Sequence, residues 1–338
     1  MNPLALPDWF PRFMNIGADR FGELMAALIA AGCEPKPVEL AGGRFIVVTP
    51  RNSVRDHRYR MKVLTAHHDR VPGTPGALDN SAACLQLWRF VTRSQWPGTR
   101  PSPRNSPGRI TDKAPEVFNT VAVFTDREEL SGGSVEEQGA YALGKAFGSL
   151  GYGLPLVLSL DVTGSGDALV LSSSCSGLAG MPRMRAEEDR FSKAEKASHN
   201  RSGPVQNPDP HRTLRPPIHE ALAAEVGALA KDLGRHMAGR MPVYHLPVPF
   251  GEDIGFMLAG IPALVCTVLP RREAQSLSGM DGLPQWASPV KPEARMPQTW
   301  RFLHGPDDTV EQYTDTAFDL MERFLERVAA LRVPARAV

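Results

Sequence analysis

Cysteine is scarce and scattered in this chain. Cys33, Cys84, Cys175 and Cys266 form no CxxC pair, which argues against a cysteine-based zinc site or a disulfide framework and assigns each to the core as a small apolar residue. Neither sign of charge dominates: 38 Lys and Arg face 37 Asp and Glu, a formal charge of +1. That balance gives no electrostatic reason to expect nucleic acid or a membrane surface as a partner. No apolar run approaches the length of a membrane span. The opening "MNPLALPDWFPRFMNIGADRF" lacks a basic stretch followed by a long apolar one, so the expectation is a cytoplasmic protein. No serine sits in a GxSxG elbow and no cysteine has an evident base, which leaves little room for nucleophilic Ser or Cys hydrolysis.

What is present reads as a soluble α/β protein, with a hydrophobic share of 42% and a charged share of 22%. Residues 17–33 space Phe21, Leu24, Met25, Leu28 and Ile29 as an amphipathic helix. "RFIVVTP" (44–50), "MKVLTA" (61–66), "VFNTVAVFTD" (117–126), "LPLVLSLD" (154–161) and "PALVCTVL" (262–269) read as strands, and "DALVLSS" (167–173) as a hairpin partner of the fourth. Helices are expected after Asp79-Asn80, over 133–150 with Ser134 and Glu137 as a capping box, near 218–238, and from about 309 to 332. This alternation predicts one catalytic domain over 1–338, a three-layer α/β sandwich with a mostly parallel central sheet. Polar insertions near 93–116, 181–217 and 271–300 interrupt it.

In such a sheet, ligands bind beyond the carboxyl ends of the strands. "MKVLTA" runs into His67-His68-Asp69, "VAVFTD" into Arg127-Glu128-Glu129, and "LPLVLSL" into Asp161. Three strands thus deliver His, Glu and Asp to one edge, where an unpartnered carboxylate is costly and a metal would partner it. Imidazole with carboxylates suits zinc and tolerates cobalt or manganese. Each residue has a plainer role available: Asp79 as a helix cap, the glutamate pair as a solvated face, His68 as a packed histidine, His304 as a loop residue, and "TGSGD" (163–167) as a turn.

The residues "HHD", "PGALDN", "EE" followed by "GGS", "LD", and a late His ahead of "DT" resemble the zinc-dependent aminopeptidase family with a co-catalytic metal pair, over roughly residues 61 to 311. That family includes the bacterial leucyl aminopeptidases, and glutaminyl cyclases share its fold. The resemblance implies a zinc exopeptidase (phosphorylase/hydrolase-like) sandwich acting on a peptide or aminoacyl substrate with two zinc ions. His67 and Asp161 would bind one ion, Glu129 and His304 the other, and Asp79 both, with a cis peptide from Asp79 to Asn80. Glu128 would be the general base and Asp69 the carboxylate orienting His67. "PFGEDIGFMLAGIPAL" (249–264) looks like the family's segment before the last strand, but Gly251-Glu252-Asp253 stands where Ser-Asp-His is usual, with Asp253 keeping the acid. Two alternatives stay open: a glutaminyl-cyclase-like acyltransferase with one zinc, and a non-catalytic scaffold of the same fold. Substrate side-chain preference and oligomeric state are not readable from the sequence.

Overall fold

The computed structural model describes residues 5–93, 117–129, 134–172, 220–278 apart from 238, 240, 247, 249 and 250, and 296–335. The stretches 94–116, 181–217 and 279–295 of the expected insertions lie outside the described residues, as do Cys175, Trp286 and the "GG" after Glu129.

Ten strands are described: β1 (Lys36–Leu40), β2 (Gly43–Val48), β3 (Ser53–Val54), β4 (Lys62–His67), β5 (Val117–Phe118), β6 (Thr120–Thr125), β7 (Leu156–Leu160), β8 (Ala168–Ser172), β9 (Val243–Leu246) and β10 (Ala263–Leu269). Eight form one sheet in the order β1-β2-β6-β4-β7-β10-β8-β9. The central four, β6, β4, β7 and β10, run parallel, whereas β2, β8 and β9 run against them. Every residue of those four strands is buried, as expected of parallel strands covered on both faces. The edge strand β1 is mostly exposed, so polar Lys36 and Glu39 are accommodated there.

The helices are α1 (Phe10–Met14), α2 (Arg20–Ala30), α3 (Ala82–Arg93), α4 (Gly139–Ala146), α5 (Glu220–Met237), α6 (Glu252–Leu258), α7 (Arg271–Ser278), α8 (Gln298–Arg301) and α9 (Asp315–Ala330). Alternation along β4 assigns two of them to opposite faces. Thr65 donates to Glu252 of α6 at 3.0 Å, whereas the Lys62 ammonium donates to Ala329 O at the end of α9. α4 packs on α6, with Phe147 stacked on Phe256 at 5.7 Å. Among the described residues, no helix is long and apolar enough to cross a membrane.

Several expectations need correction. β8 is not a hairpin partner of β7: β10 lies between them, and β8 pairs with β10 and β9. Residues 161–167 therefore cross two strand spacings, roughly 10 Å, which a tight turn does not span. Ser134 makes no capping hydrogen bond; a single tight turn occupies 135–137 and the helix begins at Gly139, whose N–H is fastened to Arg127 O at 3.2 Å. The last helix begins at Asp315, where the Thr314 hydroxyl accepts from Ala317 N. Residues 271–278, expected as loop, form a helix burying Ala274 and Leu277. In α2, Ile29 is 59% exposed, and it is Arg20 that is buried.

Candidate metal centre

Because β6, β4 and β7 are adjacent and parallel, their carboxyl ends sit side by side. The ladder pairs His67 with Thr125 and Thr65 with Ser159, so the residues that follow, Glu128-Glu129 and Asp161, flank His67. Asp79 comes from the wide turn Ala77–Ser81 between β4 and α3. The turn opens at Gly76, whose φ of +62° favours glycine and where a Cβ would lie 2.8 Å from Asp79 O. Asp79 therefore does not cap α3; its carboxylate turns toward the strand ends. The peptide from Asp79 to Asn80 is cis, as the resemblance implies. Asn80 donates to Leu160 O at 2.8 Å, tying the turn to β7.

The five ligand candidates form two triads that share Asp79. In one, His67 Nε2 lies 3.1 Å from Asp79 Oδ1 and 3.7 Å from Asp161 Oδ1. In the other, His304 Nε2 lies 3.1 Å from Asp79 Oδ2 and 3.3 Å from Glu129 Oε2. Within each triad the ligand atoms lie within 4.8 Å of one another, a spacing that can hold a metal ion. Several of these atoms are buried without a hydrogen-bond partner: both ring nitrogens of His67, Asp161 Oδ1, Glu129 Oε1 and Asp69 Oδ1. Buried polar atoms are normally satisfied, so such a cluster calls for a cation. The donors, imidazole nitrogen and carboxylate oxygen, fit zinc.

The electrostatics agree. Burial opposes a charged His67, but Asp161, Asp69 and Asp79 outweigh it and hold its pKa well above the usual value. Asp79 would be raised by burial, yet His304 and His67 at its two oxygens bring it below the usual range. Asp79 and Glu129 lift His304 to about 10. Burial pushes Glu128 well up, and the carboxylates of Asp161, Asp79 and Glu129 add to the push against His67. Burial likewise raises Glu129 and Asp161. These acidic groups crowd together at a cost that bound metal would offset.

The surroundings fix the ligands. Asp69 Oδ1 lies 3.5 Å from His67 Nδ1, and its Oδ2 accepts from Glu129 N at 3.0 Å, so one carboxylate spans both triads. Arg127, Val162 and His304, at or beside site residues, have positive φ. For β-branched Val162 this is a strained conformation of the kind that collects at functional sites. His68 is buried, donates from Nε2 to Arg44 O at 2.8 Å and packs edge-on to Phe21, so it is a packing residue and no part of either triad. Trp300 packs against a small cluster under β8 and β10.

In the departure at 251–253 both acids are buried, and it is Glu252 that reaches the strands beneath the site. Its Oε2 accepts from Thr65 and Ser159, whereas an Asp253 oxygen accepts from Gly251 N at 3.3 Å. A Cβ at Gly251 would lie 2.9 Å from Asp161 Oδ2, so glycine there leaves the Asp161 carboxylate room that a serine would reduce. Sequence reasoning also missed Arg20 and Asp308. Buried Arg20 donates to Ser81 Oγ at 2.5 Å and Asp69 O at 3.4 Å, bracing both ends of the loop between His67 and α3. An arginine at the first turn of an amphipathic helix gives no hint of this.

No protein-family model matches the sequence, and neither does any curated protein. Solved structures do match. LapA aminopeptidase from Legionella pneumophila is similar with a TM-score of 0.50 at 11% identity, over 95% of this chain and 68% of that one. Glutaminyl cyclase from Porphyromonas gingivalis is similar with a TM-score of 0.50 at 14% identity, over 95% of both chains. LapB from Legionella pneumophila has a TM-score of 0.48 at 13% identity, and this chain spans 64% of its length. At such identities the likeness concerns the fold: a mixed α/β sandwich like that of the zinc exopeptidases and of glutaminyl cyclase.

Proposed function

We propose that the chain is a zinc-dependent exopeptidase that releases amino-terminal residues from peptides. The observation that carries this reading is Asp79, which offers one oxygen to each of two His–carboxylate triads, while His67 Nε2, Asp161 Oδ1 and Glu129 Oε1 are buried without a hydrogen-bond partner. His67, Asp79 and Asp161 would hold one ion, and Asp79, Glu129 and His304 the other. When bound, a close metal pair supplies Lewis-acid activation of water and of the scissile carbonyl.

The remaining steps belong to the protein. Three carboxylates against four positive charges leave a net positive site with both rings neutral. Glu128 holds a proton more tightly than a free glutamate because of burial and neighbouring carboxylates. That suits a group which takes a proton from water and returns it to the leaving amine near neutral pH. Asp69 fixes the His67 ring from its Nδ1 side and the Glu129 backbone at once. The half-exposed His304 marks the open side, by which a peptide amino terminus would enter.

A single-zinc acyltransferase like glutaminyl cyclase is the second reading, favoured by the matched chain lengths in that comparison. Elemental analysis of protein saturated with zinc and desalted separates the readings. Close to two ions per chain, with hydrolysis of aminoacyl amides, supports the peptidase. One ion with glutaminyl cyclisation supports the second reading, and none overturns both.

A further inference from the structure

Three of the five ligand candidates are placed by the sheet. His67, Glu129 and Asp161 end or follow neighbouring parallel strands, so their spacing is fixed by the ladder. Asp79 and His304 come from loops 225 residues apart in sequence, and no strand pairing sets their separation. Something else must register these two loops.

Asp308 does so. It is wholly buried, beside the exposed Asp307. Its Oδ1 accepts from Leu78 N at 2.5 Å and its Oδ2 from Asp79 N at 3.4 Å, while its main-chain oxygen accepts from Ala77 N at 3.1 Å. One residue thus takes three successive N–H groups of the turn that carries Asp79. Within its own loop, Asp308 N donates to Gly305 O at 3.3 Å, next to His304. Tyr313 OH adds a fourth contact, to Ala77 O at 2.8 Å. Burial pushes the Asp308 carboxyl up to about 6, with the Leu78 N–H opposing it, so an acid is kept here despite the cost of burying it.

We propose that Asp308 is a positioning residue for the Asp79–Glu129–His304 triad, holding the backbone of the Asp79 turn in register with the His304 loop. It touches no ion itself. The assignment rests on the two-triad reading given above. It predicts an asymmetry: Asp79 would serve both ions, but the Glu129–His304 ion would take two of its three ligands from the tied loops and the His67–Asp161 ion only one, so loosening Asp308 should weaken the first more than the second.

The test is zinc titration of the full-length protein against a chromophoric chelator, for wild type, Asp308→Ala and Asp308→Asn, each alone and combined with Glu129→Ala. Removing a residue that orients ligands typically weakens metal by about 10- to 100-fold. In Asp308→Ala, one of the two ions should weaken by that amount and the other, which shares only Asp79 with the loosened turn, by a clearly smaller factor. Asp308→Asn, which keeps one oxygen acceptor, should weaken the same ion to a smaller degree, and it decides the matter if the alanine variant does not fold. In the Glu129→Ala background, Asp308→Ala should weaken the remaining ion less than it weakens the more affected ion when Glu129 is present. Equal weakening of both ions would mean general loosening and overturns the proposal, as would no weakening at all. A wild-type chain that takes up fewer than two ions overturns the two-triad reading and this assignment with it.

Discussion

The two ends of strand β4 bury polar groups in opposite ways. At its start, Lys62 donates to Ala329 O and Leu331 O, and next to it Arg60 donates to Leu154 O and Pro155 O and pairs with Glu225. At its finish, His67 meets three carboxylates, and neither ring nitrogen has a hydrogen bond. The Lys62 and His67 side chains are both fully buried. The first is closed by the chain itself, capping the carboxyl end of α9, and needs nothing added. The second is incomplete in its own terms. A cluster of buried charge is informative about function chiefly when the protein leaves it unsatisfied.

The largest effect that would break this contrast is catalytic. Glu128→Gln should keep its metal and lose about 10²- to 10⁴-fold in kcat, whereas His67→Ala should lose metal and activity together. Steady-state kinetics beside elemental analysis check both, and near-normal turnover in Glu128→Gln would remove Glu128 as the base. Next comes stability. Zinc at a hundredfold excess over its Kd should stabilise the wild type by about 2.7 kcal/mol. Lys62→Met, by orphaning carbonyls at the closed end, should cost about 1–3 kcal/mol. The two ends lie roughly 17 Å apart along the strand, so that cost should be the same with zinc or with chelator. Denaturant melts in both conditions read it, and a zinc-dependent cost would mean the ends are coupled.

The pH response sharpens the comparison further. In the metal-free chain, Asp79 and Glu129 raise His304 to about 10, against about 6.5 when unfolded. The pairing then contributes its full stability below about pH 6.5 and loses it as pH rises through about 10. A ligand must be neutral, so ion uptake expels that proton and zinc affinity rises with pH over the same interval. Metal-free stability and zinc affinity should therefore run in opposite directions, and calorimetry in buffers of different ionisation heat counts the proton released. Parallel trends would sink the assignment of His304. The smallest effect is expected at His68→Gln, about 1 kcal/mol from one altered hydrogen bond, with metal content unchanged.

The strand ends were legible in the sequence because β4, β6 and β7 are short apolar runs that stop abruptly at charged residues. A polar group at that junction is visible without knowing the sheet order. The partner of β8 was not legible, since β10, which separates it from β7, is encoded far downstream. Nor was the roster of supporting residues. Asp307 and Asp308 are chemically identical in sequence, and only packing makes one exposed and the other a tie between loops. Glu252 and Asp253 are both buried, and it is the hydroxyls of Thr65 and Ser159 facing the helix start that give Glu252 its role.

The insertion of β10 between β7 and β8 also sets an order of events on the ribosome. β8 ends at Ser172, but the strand that joins it to the rest of the sheet begins only at Ala263. All five residues of β8 are buried in the finished sheet, so until β10 is made the nascent chain carries an apolar strand that has at most its other partner, β9, on one edge. The strands β4, β6 and β7, which lead to the ligand candidates, are complete by then and can pair at once. Fragments cut short before residue 263 would keep that trio yet leave the β10-facing edge of β8 open to pairing with other chains, an exposure that favours aggregation.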